Sequence, residues 1–277
     1  MIVIVASRHD EMARRASERW TNHDCRLITP ADLSVGGWRH HVRDPMRAVA
    51  VASGEPVKVV DIEAIINRLP WVYEHELGDI TPEDRPYVAA EMSAFLLSWL
   101  TEIPCPVLNR PTAGCLAGPS WGEAQWIVAA LEAGMTVEPL RRRAHRNMDI
   151  TVPVESGSIS VIVTGDHTFG CADATLLSQA IRLAEIARVQ LLEVRFSNRR
   201  SDAGFVGATP CPNPEDRNVE AAVLLCLGYP EKAIDATLTE QGGNRCEPAD
   251  TRVPPHLRSE VGRPHAKSPG RFGPDKT

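Results

Sequence analysis

The stretch Ile2-Val3-Ile4-Val5-Ala6, followed at once by Ser7-Arg8-His9-Asp10, decides how the first half of the chain is read. A short, unbroken apolar run bounded by polar capping residues is a buried strand, and Met12, Ala13, Ala16 and Trp20 then recur at helical spacing. A strand feeds a helix.

The same alternation continues outward. Val57 to Val60 and Ala64 to Asn67 are β-like runs. Arg85-Pro86 opens a helix whose apolar face is Val88, Met92, Phe95, Leu96, Trp99 and Leu100, and Pro104-Cys105-Pro106 stops it before the extended Val107-Leu108-Asn109. Ser120-Trp121-Gly122-Glu123 reads as a capping box, with Ser120 accepting and Glu123 reaching back; Ile127, Ala130 and Leu131 form the buried side and Gly134 ends the helix. Residues 1–140 therefore read as an open, mostly parallel α/β domain of Rossmann-like type. The usual dinucleotide fingerprint, Gly-x-Gly-x-x-Gly after the first strand, is missing.

A basic connector, residues 141–158, begins with Arg141-Arg142-Arg143-Ala144-His145-Arg146. Beyond it, Ile159 to Thr164, a turn at Gly165-Asp166 and His167-Thr168-Phe169 predict a hairpin. A helix from Asp173 should bury Leu176, Leu177, Ala180, Ile181, Ala184 and Ala187. Strands at Gln190 to Phe196 and Gly204 to Thr209 come next, then a helix capped by Asn213 with Pro214 at its first position, ending near Leu227. Residues 159–240 thus read as a small ββαββα, or α+β, domain. From 241 to 277 apolar residues are rare and Pro, Gly, Arg and His dominate; such a composition predicts a disordered tail.

Composition narrows the function classes. With 43% hydrophobic and 24% charged residues over 277 positions, the chain has the material for a sizeable core. Thirty basic against thirty-six acidic residues give a net charge of −6, which removes the general attraction to a phosphate backbone, so no nucleic-acid partner is expected. No run approaches the roughly 18 apolar residues of a membrane span, and no basic leader precedes the first strand; the expectation is a cytoplasmic chain without a membrane partner. Seven cysteines without a Cys-x-x-Cys pair predict reduced structural thiols and no metal site.

Candidate ligand-binding residues are His9, Arg68, Asn109 and Arg110, which fall where strands of the first domain end, the crevice in which open α/β sheets hold ligands. An arginine there offers a bidentate fork to a carboxylate or phosphate, and His9 a proton shuttle. The plainer alternative is that these residues cap loops and cover the sheet. The arginine run after residue 140 reads as a solvated connector or a docking strip for an acidic partner. Asp166-His167 suits a tight turn, and Cys211, between prolines, looks exposed. Trp71, Trp99, Trp121 and Trp126 at helical spacing read as core or interface more readily than as a ligand platform. Ser120 is explained by its cap, since no nucleophile elbow surrounds it.

Several stretches together resemble a known family. Asn67-Arg68-Leu69-Pro70, Glu91 to Leu100, Pro106 to Pro111 and the helix ending at Gly134-Met135-Thr136-Val137 resemble the pre-ATP-grasp domain of ATP-grasp ligases, especially the branch that modifies peptides. Ser160 to Asp166, the helix through Leu183-Ala184, Leu191 to Phe196 and Phe205 to Pro212 are similar to the C-terminal half of an ATP-grasp domain. The resemblance covers about residues 1 to 230 and implies a ligase fold that binds ATP and magnesium.

The chain departs from that pattern at the nucleotide. Only about 20 residues separate Val137 from Ile159, and none is a lysine, where the family places phosphate-binding lysines, a glycine-rich loop and an adenine hinge. At the family's metal-binding strand positions this chain has Arg195, Gly207 and Thr209; Glu193 becomes the acid only if the register slips by two. The sequence therefore leads to a degenerate ATP-grasp-like protein, a non-catalytic binding or accessory subunit for a ligase, a peptide or a small acidic metabolite, with no cofactor. One alternative is an ATP- and magnesium-dependent carboxylate–amine ligase active only with a partner subunit, with Glu193 catalytic. Another is a small-molecule sensor using the first crevice.

Overall fold

The computed structural model describes residues 1–20, 23–137, 158–170 and 172–229. Apart from Ser158, the expected connector lies outside these residues or at their edge, and the expected tail lies wholly outside them.

The first strand, β1 (Ile2–Val5), is buried along its whole length and feeds α1 (Glu11–Arg19), whose N-cap Asp10 accepts a hydrogen bond from the Ala13 amide. β1 pairs in parallel with β2 (Cys25–Ile28) on one side and β5 (Ala64–Asn67) on the other, and β5 pairs in parallel with the two-residue β6 (Val107–Leu108). The order β2-β1-β5-β6 is the open parallel sheet expected for a doubly wound unit. Between β2 and β5 the chain forms a separate antiparallel ribbon, β3 (Val49–Ala52) with β4 (Glu55–Lys58), so the β-like run at Val57 belongs to a hairpin outside the main sheet. Pro86 sits in the first turn of α2 (Arg85–Glu102), which buries Ala89, Ser93, Leu96, Trp99 and Leu100.

The second sheet is mixed, in the order β7 (Thr136–Val137), β11 (Gly204–Thr209), β10 (Leu191–Phe196), β8 (Ile159–Thr164), β9 (His167–Phe169). With α4 (Ala174–Ala187) and α5 (Arg217–Cys226), residues 159–226 follow the ββαββα order read from the sequence. α3 (Glu123–Glu132) packs here too: Trp126, Ala129 and Ala130 share a core with Leu176, Ala180, Val194 and Phe196. Residues 123–137 thus complete the second sheet instead of closing the first. Their apolar face is matched by α4, and β7 pairs in parallel with β11. A third apolar cluster joins the two units, with Ile4, Ile66 and Leu108 from one packed against Ile162, Leu191 and Val219 from the other. Burying each such side chain contributes about 1.5–3 kcal/mol.

Two helix starts differ from the expected ones. Gly122, not Ser120, is the N-cap of α3, because the Gln125 side chain reaches back to accept from the Gly122 amide at 2.8 Å while Trp121 packs edge-on against Trp126. Asn213 spends its side chain on an Asx turn to the Glu215 amide, and Asp216 caps α5 by accepting from Asn218.

Gly170, after β9, has φ +122°, and a Cβ there would stand 2.6 Å from the Ser160 carbonyl oxygen. Gly170→Ala should therefore lower stability by about 2 kcal/mol or more in urea unfolding, whereas Gly54→Ala, strained in φ but facing open space, should cost less.

Candidate functional site

Chain direction places the first candidate crevice. From β1 the chain moves to one side of the sheet to form β2, then returns to the other side to form β5, so the loops after β1 and β5 diverge. Into this gap project Arg8, His9 and Asp10 from one loop and Arg68, His75 and Glu76 from the other. Arg8 Nε donates to His9 Nε2 at 3.1 Å, which leaves Nδ1 as the proton-bearing nitrogen of the neutral imidazole. The His9 and His75 rings lie 6.2 Å apart. Glu76, only 3% exposed, accepts the Arg8 amide on Oε2 at 3.2 Å, and its Oε1 has no partner. Sequence reading passed over Glu76, because nothing local marks an acid in a short acidic loop as buried.

Arg68 and Asn109 occupy the same end of the sheet but are turned toward the second unit. Arg68 Nε donates to Asp10 Oδ2 at 2.8 Å, while its Nη1 donates to the carbonyl of Pro212. Asp10 thus caps α1 with one oxygen and holds Arg68 with the other. Asn109, 1% exposed, donates to the carbonyls of Leu191 and Pro210 and accepts from the amides of Gln190 and Leu191, all at 2.8 Å. Gly118, at φ +98°, lets its loop approach this cluster, since a Cβ there would lie 3.2 Å from that of Asn109. Arg110 points elsewhere, donating to the carbonyls of Leu100, Thr101, Ile103 and Cys105 at the end of α2. The structure therefore brings His9, Arg68 and Asn109 to one edge, engages the last two in joining the units, and uses Arg110 as a helix C-cap.

Cys211 lies inside this junction, with its sulfur 3.9 Å from the Ala117 carbonyl oxygen, and is not the exposed thiol its flanking prolines suggested. Burial pushes its pKa up to about 11, against the pull of Arg68.

The second candidate area is the face of the second sheet away from α3 and α4. Along β10, Leu192, Val194 and Phe196 enter the core while Glu193 and Arg195 take the other face. Antiparallel register sets Glu193 opposite Thr209 and Arg195 opposite Gly207, with Ser160 of β8 opposite Arg195 on the other flank. Glu193 accepts from the Ser160 hydroxyl at 2.9 Å. The Arg195 guanidinium lies over Gly207, where a Cβ would come within 3.1 Å of Nη2. Among the described residues, α5 and the first unit pack on the Leu191 and Ile162 end of this face, and Arg195 at the polar end is exposed. Magnesium requires several hard oxygen donors, whereas here it would meet one carboxylate, two hydroxyls and a cation. That donor set does not fit the metal. Among the described residues no group of three His, Cys, Asp or Glu side chains is placed to hold a metal ion.

No protein-family model matches the chain, and neither does any curated protein. Solved structures do match. The ATP-grasp ligase PsnB complexed with a minimal precursor is 12% identical, with a TM-score of 0.53 over 86% of this chain and 98% of that one. A Chryseobacterium gregarium RiPP-associated ATP-grasp ligase in complex with ADP and a leader and core peptide is 10% identical, with a TM-score of 0.56 over 83% and 97%. The macrocyclase MdnB from Microcystis aeruginosa MRC is 12% identical, with a TM-score of 0.55 over 87% and 99%. The chain shares the fold of these ATP-grasp ligases, two of which were solved with a minimal precursor or with a leader and core peptide.

Asn109→Ala would leave two backbone carbonyls and two amides unpaired at the junction. It should cost on the order of 3 kcal/mol, read as a lowered midpoint in urea unfolding. The thiols give a pH test. Burial raises Cys25 to about 12 and Cys105 and Cys211 to about 11, so the unfolded chain releases these protons first, near 9. Stability should hold below pH 8 and fall as pH rises from about 9 to about 11, and replacing Cys211 by Ala should flatten that fall.

Proposed function

We propose that this chain is a ligase-related binding protein, which uses the ATP-grasp framework to hold a peptide or a small acidic ligand and does not by itself drive ligation with ATP. The observation that carries the reading is the open face of the second sheet. Arg195 stands over Gly207 and Glu193 is engaged by Ser160, so a triphosphate and its magnesium find one carboxylate and one guanidinium where paired oxygen donors are needed. An exposed guanidinium of this kind suits a carboxylate instead. The peptide class of ligand is supported by the relatives solved with leader, core or precursor peptides. ATP and magnesium are no part of this reading. In a cell such a protein would serve as an accessory to a complete ligase or present a peptide to one.

Thermal melting tests this. A nucleotide at a hundred times its dissociation constant stabilises a protein by about 2.7 kcal/mol. Magnesium and ATP should leave the melting temperature of the chain unchanged, and a clear upward shift would refute the reading. A shift seen only with a co-purifying protein present, abolished together with turnover by Glu193→Gln, would establish the two-subunit ligase in its place.

A further inference from the structure

A groove of about 690 Å³ runs between the loop after β5 and α2, and all its lining residues belong to the first unit. This is within the roughly 300–1,000 Å³ of ligand clefts. Trp71, Tyr73 and His75 line it from the loop, and Pro86, Ala90 and Ala94, spaced four apart on one face of α2, line it from the helix. Trp71 is 38% and Tyr73 43% exposed, and the Tyr73 and His75 rings are stacked 5.5 Å apart at 20°. Hydrogen bonds hold this wall in place: the Val72 amide donates to Ser93 Oγ of α2 at 3.1 Å, and the Leu116 amide to the Pro70 carbonyl at 2.9 Å. Exposed rings on a fixed loop, facing a strip of small side chains, leave a slot for a flat apolar body.

Two opposite charges stand at the wall. Glu74, between Tyr73 and His75, lines the groove and is exposed, and its carboxylate has no ion-pair partner among the described residues. Arg8 arrives from the loop after β1. Its Nη2 lies 3.5 Å from the carbonyl oxygen of His75 and its Nε donates to His9, so the guanidinium stands beside the same wall, again with no ion pair among the described residues. The other charges nearby are already committed or buried: Arg85 donates to the carbonyls of Ile80 and Gly78, and Glu76 is only 3% exposed and does not line the groove.

One unpaired charge beside an apolar slot selects a ligand of the opposite sign; two unpaired charges of opposite sign select a ligand that carries both. An aromatic amino acid combines a flat apolar body with an ammonium and a carboxylate. We infer that the groove binds a free aromatic α-amino acid, its ring between the Trp71–Tyr73 wall and the Ala90–Ala94 strip, its ammonium on Glu74 and its carboxylate on Arg8. The guanidinium presents a fork that matches a carboxylate. An aromatic residue inside a peptide lacks both charges, so the site takes the free amino acid in preference. This inference does not rest on the reading of the second-sheet face.

Titration calorimetry of the full chain with L-tryptophan, tryptamine and indole-3-propionate tests it, since the last two each lack one of the charges. Tryptophan should bind saturably and about tenfold more tightly than either, the worth of one hydrogen bond to a charged group. N-acetyltryptophanamide, which stands for a residue inside a peptide, should bind more weakly than all three. Glu74→Gln should weaken tryptophan and tryptamine and leave indole-3-propionate no weaker; Arg8→Gln should weaken tryptophan and indole-3-propionate and leave tryptamine unchanged. Both side chains are exposed, so each variant should keep its melting temperature within a few degrees. Ala94→Phe, at an exposed helix position, should fill the slot and remove binding of every ligand. No saturable binding of tryptophan, equal affinity for the charged and blocked ligands, losses in the two charge variants that ignore the ligand's charge, or undiminished binding in Ala94→Phe would each overturn the inference.

Discussion

Two sheets meet in this protein where their strands end, and strand ends carry backbone groups that no ladder satisfies. The Asn109 amide answers that constraint. Placed directly after β6, it takes up both amides and both carbonyls presented by Gln190, Leu191 and Pro210, all at 2.8 Å. Arg68, directly after β5, does the same for the Pro212 carbonyl and returns its charge to Asp10. Buried polar groups of this kind are costly unless fully paired, so the junction fixes one relative placement of the units. The apolar cluster around Ile4, Leu108 and Leu191 supplies cohesion; the amide supplies registration.

That junction also distributes the chemistry of the chain. Residues that could have formed an anion pocket at the first sheet are drawn into structure, while the second sheet keeps an open polar face with opposite charges two residues apart on β10. Gly207 matters there because it has no side chain to displace the Arg195 guanidinium.

Much of this was legible residue by residue. Hydrophobic runs and their capping residues located β1, α1, α2, α4, β10 and β11, since burial period and hydrogen-bond caps are local properties. Less local choices were misread for identifiable reasons. Ser120 and Asn213 are good capping residues by type, yet Gln125 and Asp216 serve those helix starts because neighbouring tryptophan packing and an Asx turn displaced the competing geometry. The apolar face of α3 showed that the helix was buried but carried no mark of which sheet would bury it.

The sequence alone determined the element order of residues 159–226, the α/β character, and the residue types on β10 and β11 that bear on metal chemistry, because each follows from neighbours along the chain. Tertiary structure alone decided that Arg68 and Asn109 join the units, that Arg110 caps α2, that Cys211 is half-buried at the junction, and that Glu76 keeps an unpaired oxygen. Those outcomes depend on groups from about ten to over a hundred positions away, and a side chain's donors and acceptors do not specify which distant backbone will arrive to meet them.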